Sequence, residues 1–138
     1  MMNSLQPLNA VFVVDDDHIT QITIKHLFKK HGLAEEITSF FNGEEALNAF
    51  KVLDSHNAVW PELVLLDLNM PIMNGWEFLS AFSSFNWESK TNIVVCTSSI
   101  DPEDESRIRK LGNILDYINK PLTISKLETV LNKLYTTT

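Results

Sequence analysis

Five short apolar runs, each followed by a segment whose apolar residues recur at helical spacing, leave few folds open to this chain. Ala10–Val14, Leu63–Leu66 and Ile93–Cys96 are unbroken and mostly branched or β-branched, as strands covered on both faces are. Ile37–Phe41 and Leu115–Ile118 complete the set. Ile19, Ile22, Ile24, Leu27 and Phe28 mark a helix over His18–Lys30, stopped by Gly32. Ala46, Ala49, Phe50 and Leu53 give a second helix one apolar face. Phe78, Leu79, Phe82 and Phe85 mark a third, and Ile124, Leu127, Leu131 and Leu134 the last. The charged segment Pro102–Leu111 is the fourth helix, with Asp101 as N-cap and Pro102 at the first helical position. Strands that alternate with helices build a five-stranded parallel sheet, doubly wound, because parallel neighbours need right-handed crossovers.

With 138 residues the chain makes one domain whose core needs no staple, and Cys96, its one cysteine, could form no internal disulfide. The opening residues lack the basic start and apolar run of a secretory signal, and no stretch is long and apolar enough to span a membrane. A soluble, cytoplasmic protein is expected. Eleven basic against 18 acidic residues leave a net charge of -7, which disfavours nucleic acid and anionic membrane as partners.

In an open parallel sheet, ligands bind beyond the carboxyl ends of the strands. Asp15, Asp16 and Asp17 follow the first run, Asp67 and Asn69 the third, Thr97 and Ser98 the fourth, and Asn119, Lys120 and Pro121 the fifth. Carboxylates gathered at one edge cannot all stay ionised without a compensating cation. Mg²⁺ suits such a pocket, being a hard ion held by one or two carboxylates together with phosphoryl oxygens. Lys120 adds a compact positive charge and Thr97 a hydroxyl. Taken singly each residue has a plainer role: Asp17 caps the first helix, Thr97 ends a strand, and Lys120 sits in a loop.

Taken together, the segments Val11–Asp16, Leu65–Gly75, Val95–Ser98 and Tyr117–Pro121 resemble the receiver domain of two-component response regulators. The Asp-x-x-Met-Pro-x-Met-x-Gly run from Asp67 to Gly75 is the most specific of them. The resemblance implies a flavodoxin-like strand order, 2-1-3-4-5, over a receiver domain at 9–135, with tails at 1–8 and 136–138 and no output domain. It also implies that Asp67 is the phosphoacceptor. Mg²⁺ would be held by Asp16, Asp67 and the Asn69 backbone carbonyl, with Asp15 acting through water. Thr97 and Lys120 would bind phosphoryl oxygens, Tyr117 would couple to Thr97 as a switch, and the Lys120–Pro121 bond would be cis.

The implied partners are a sensor histidine kinase or histidine phosphotransfer protein upstream and a separate effector downstream, met through the face of the fourth helix, fifth strand and fifth helix. The protein is then no enzyme beyond its own phosphorylation and dephosphorylation, and is expected to be a monomer, with dimerisation on phosphorylation left open. Asn74 stands where the family most often has Asp, and Ser98 where it often has Ala; Ser99 and Asn69 occupy positions that tune dephosphorylation in the family. A Mg²⁺-dependent phosphohydrolase would need an acid two residues after its nucleophile, where this chain has Asn69. A flavin carrier would place a phosphate against Asp15–Asp17, which repel it. A receiver-like module that is never phosphorylated is the third alternative. Trp60, Trp76 and Trp87 are read as packing, and Lys25, Lys29, Lys30 and His31 as a solvated face or a kinase-docking one.

Overall fold

A computed structural model describes residues 6–98, 100–111 and 113–137. They form β1 (Leu8–Val14), α1 (His18–Lys30), β2 (Ala34–Phe40), α2 (Gly43–Ser55), β3 (Leu63–Leu66), α3 (Gly75–Ser84), β4 (Asn92–Thr97), α4 (Pro102–Leu111), β5 (Ile114–Asn119) and α5 (Ile124–Thr137). All strand pairs are parallel and the order is β2-β1-β3-β4-β5. This is the doubly wound, flavodoxin-like arrangement expected from the sequence.

Successive strand residues point to opposite faces, so each apolar run feeds two cores. Val11, Val13, Leu63, Leu65, Val94 and Cys96 pack with Ile24 and Phe28 of α1 and Leu127, Val130 and Leu131 of α5. Phe12, Val14, Val64, Leu66 and Ile93 pack with Phe50 of α2 and Phe78 and Phe82 of α3. Trp87 is buried in that second core and Trp60 stacks on Phe50, so both tryptophans serve packing. The charged α4 is held differently. Ile108 is its buried residue, set against Leu68 and Val95, and the Arg107 guanidinium lies 4.0 Å above the Trp76 ring of α3.

Two local features depart from the periodicity. The buried face of α1 runs Gln21–Ile24–Phe28, spaced by three and four, while Ile19 and Ile22 are 75% and 67% exposed. Asp17 caps the helix, accepting from Ile19 N–H. The sheet also begins earlier than Ala10: Leu8 is buried, pairs with Ala34 and donates its N–H to Leu33 O. At the other end α5 runs to Thr137.

Candidate functional site

The carboxyl edge of the sheet collects side chains from four strand ends. Asp15 and Asp67 are buried, at 2% and 6% exposure, whereas Asp16 faces solvent. Carboxylate oxygens of all three lie within 4.8 Å of one another. Lys120 reaches in from beyond β5, placing Nζ 2.6 Å from Asp15 Oδ2 and 3.4 Å from Asp67 Oδ2. The Lys120–Pro121 bond that orients this segment is cis.

Backbone amides hold the two buried acids. Asp17 N–H donates to Asp15 Oδ1 at 2.8 Å, and Asn69 N–H donates to Asp67 Oδ1 at 3.3 Å. Asp17 itself turns away, accepting from Ile19 N–H and the Thr20 hydroxyl at 3.0 Å each. Those hydrogen bonds, that of Thr20 first, hold its carboxyl below the usual carboxylate range. It is a cap and not a member of the cluster.

Burial raises the Asp15 carboxyl against the hydrogen bonds of Lys120 and Asp17, and the Asp67 charge adds to the rise. For Lys120, burial opposes the charged form, but hydrogen bonding and charge from Asp15, with the charge of Asp67, outweigh it and raise the ammonium. Three carboxylates thus gather around one lysine. Thr97, at the end of β4, is fully buried, and its hydroxyl finds no hydrogen-bond partner among the described residues. A buried hydroxyl left unpaired costs free energy unless something arrives to accept from it.

The β3–α3 loop owes its shape to a close approach. Gly75 N–H donates to Leu68 O, and a Cβ on Gly75 would lie 2.5 Å from Asp67 O and 2.7 Å from Leu68 Cα. Only glycine fits there without moving the backbone that presents Asp67. Asn74 forms a capping box with Glu77, each accepting the other's N–H at 2.9 Å, so Asn in place of Asp keeps the turn.

Tyr117 lies outside the pocket. It pairs in register with Val95, two residues before Asn119, the partner of Thr97, and its ring packs among Val95 and Ile108. Its hydroxyl meets Glu105 and Arg109 of α4, and the Glu105 hydrogen bond is first among the causes that raise its pKa. Ser98 is exposed beside the pocket, and Ser99 lies outside the described residues. Two polar groups, Glu105 and Gln21, were missed by sequence reasoning. Glu105 reads as one more charge on a charged helix. Gln21 interrupts an apolar stripe, and that interruption was its one signal.

A family model described as "Response regulator receiver domain" matches residues 11–132. Two-component response regulator 24 of Arabidopsis thaliana is 31% identical over 125 residues, 91% of this chain and 83% of that protein. A protein-glutamate methylesterase/protein-glutamine glutaminase of Leptospira interrogans is 32% identical over 113 residues, and the match spans 80% of this chain but 30% of that protein. Among solved structures, a two component response regulator from Cytophaga hutchinsonii superposes with a TM-score of 0.87 at 28% identity, over 95% of this chain and 99% of that one.

Proposed function

The chain belongs to the response regulator receiver domain family, and from that premise we propose that Asp67 accepts a phosphoryl group from a phosphohistidine and that the acyl phosphate switches partner binding. One observation carries the reading: a buried aspartate and a lysine share a pocket with a buried threonine hydroxyl that lacks an acceptor. A carboxylate oxygen of Asp67 attacks phosphorus as the P–N bond to the donor imidazole breaks, and the ring nitrogen keeps the electron pair. Asn69 N–H holds the carboxylate in place for that attack. Lys120 neutralises the incoming oxygens and Thr97 donates its hydroxyl to one of them. Attack by water on the acyl phosphate restores Asp67 and resets the signal.

The donor set fits Mg²⁺, because it is all hard oxygen and sets three carboxylates against one lysine. Asp16, Asp67 and the Asn69 carbonyl would hold the ion directly, and Asp15 through water. Bound there, the ion supplies positive charge against the phosphoryl oxygens.

The proposed donor is a sensor histidine kinase or a histidine phosphotransfer protein. Exposed Ile19 and Ile22 on α1, next to an apolar cleft shared with Pro121 and Leu122, offer it a landing beside Lys120. The proposed output face is α4-β5-α5, where α4 has one buried residue and Tyr117 leans on Glu105 and Arg109. The receiver unit is assigned to residues 9–135, acting in the cytoplasm as a phosphoacceptor rather than an enzyme and passing its signal to an effector protein, with neither nucleic acid nor membrane as a direct partner. No helix among the described residues is long and apolar enough to cross a membrane.

Incubation with Mg²⁺ and acetyl phosphate, read by intact mass, tests the assignment. The expected result is one phosphoryl adduct on wild type and none on Asp67→Asn. An adduct that survives this substitution, or none on wild type with either acetyl phosphate or beryllofluoride, overturns it; steady substrate turnover would point to a phosphohydrolase.

A further inference from the structure

We propose that Gln21 is a positioning residue for the cation site, holding the β1–α1 loop so that Asp16, as direct ligand, and Asp15, acting through water, keep fixed places. The inference rests on the reading of Asp15, Asp16 and Asp67 as a Mg²⁺ site.

Gln21 is 3% exposed and sits one turn into α1, where its neighbours on the buried face are Ile24 and Phe28. Its Nε2 donates to three backbone carbonyls, Val13 O, Asp15 O and Phe40 O, each at 3.0 Å. Two N–H groups thus serve three acceptors at the carboxyl ends of β1 and β2. The orientation of the amide is forced, since the reversed placement would set Oε1 against three carbonyl oxygens. The cost is visible on the other side, where Oε1 is buried without a partner among the described residues.

The three carbonyls belong to the segment that aims the acids. Asp15 N–H donates to Phe40 O, the same oxygen that Gln21 uses, so one side chain reaches both sides of the β1–β2 junction at its last backbone bond. Gln21 N–H in turn donates to Asp17 O, closing the first turn of the helix over the loop. The Asp15 carbonyl is held by Gln21 Nε2 and its carboxylate by Asp17 N–H and Lys120. Partners that orient metal ligands in this way typically contribute 10- to 100-fold in metal affinity.

The test is a calorimetric Mg²⁺ titration of wild type, Gln21→Met and Ile24→Ala, together with the thermal midpoint of each. Gln21→Met keeps the volume and removes the donors. Ile24→Ala loosens the same helix face without touching the loop, and sets how far lost stability alone moves the affinity. Gln21→Met is expected to weaken Mg²⁺ binding about tenfold, while Ile24→Ala lowers the midpoint and leaves affinity within twofold of wild type. If Gln21→Met does not fold, Gln21→Asn carries the comparison, since it keeps the amide but stops one methylene short. Wild-type affinity in a folded Gln21 variant overturns the inference, as does an equal loss in Ile24→Ala. A wild type that binds no Mg²⁺ overturns instead the cation-site reading beneath it.

Discussion

Lys120 Nζ lies 0.8 Å closer to Asp15 Oδ2 than to Asp67 Oδ2, at 2.6 against 3.4 Å. The lysine is thus paired with a neighbouring acid while the proposed phosphoacceptor holds the longer contact. Lys120→Met removes the counter-charge of two buried carboxylates, and breaking a buried pair from one side costs about 3–5 kcal/mol. The thermal midpoint of the metal-free protein should fall, and Mg²⁺ should raise it by more than in wild type, since the ion no longer competes with an ammonium. Melts with and without Mg²⁺ check this, and an equal Mg²⁺ increment in both proteins would count against it.

Asp15→Asn should stabilise the metal-free protein at neutral pH. The Asp15 pKa is raised in the fold by burial, so the native state binds this proton more tightly than the unfolded chain does. Stability from Asp15 is therefore fully present below the unfolded carboxylate range and is lost as pH rises through the native pKa. The midpoint gap between Asp15→Asn and wild type should be widest near neutrality and close on acidification. A gap that widens toward acid would reverse the sign.

Burial pushes the Cys96 thiol up to about 12. Alkylation of the native protein at pH 8 should be negligible and become rapid in denaturant, because the thiolate is the nucleophile. The sign of the linked stability is again a loss with rising pH: the unfolded thiol ionises near its ordinary value while the native one keeps its proton. Between those two pKa values wild type should lose more stability than Cys96→Ala, as denaturant midpoints would register.

Gly75→Ala should cost about 1–3 kcal/mol, the range for overfilling a packed site, because the added methyl meets backbone atoms of Asp67 and Leu68. The same change at Gly32, with φ +60 and open space around it, meets only the left-handed backbone penalty of about 1 kcal/mol. Beryllofluoride binding separates them: it should weaken for Gly75→Ala and hold for Gly32→Ala.

Ile72 is a β-branched residue at φ 69, with Met73 N–H donating to Pro71 O across it, and its side chain is 73% exposed. Ile72→Gly should relieve roughly 1 kcal/mol of backbone strain. Chemical denaturation should show a midpoint equal to or above wild type; a clear fall would mean that the exposed side chain packs.

The fold was legible because buried parallel strands must be continuously apolar, and Leu63–Leu66 and Pro102–Leu111 carry the same limits in sequence and structure. Leu8 escaped because polar Asn9, exposed on β1, splits it from the run that follows. The acids and Lys120 were legible from topology, since strand ends converge at one edge. Partner choice was not. Asp17 was legible as the cap of α1, and it caps that helix, but that Lys120 sits nearer Asp15 and that Tyr117 leans on Glu105 depend on side-chain directions that no spacing encodes. Gln21 was hidden for a related reason: a polar residue in an apolar stripe has meaning only once the carbonyls it serves are in place.

The way α4 is held has a consequence for how such a chain can change over generations. Among the described residues α4 buries one side chain, Ile108, and is otherwise held by surface contacts, Arg107 on Trp76 and Tyr117 on Glu105 and Arg109, while the acids and Lys120 are mounted on other elements. On the output role proposed for α4, mutations along its outward side would rewrite which protein listens without touching the residues proposed to set the signal. On that proposal speaker and listener are inherited through separate parts of one small fold, and lineages would exchange the second while keeping the first.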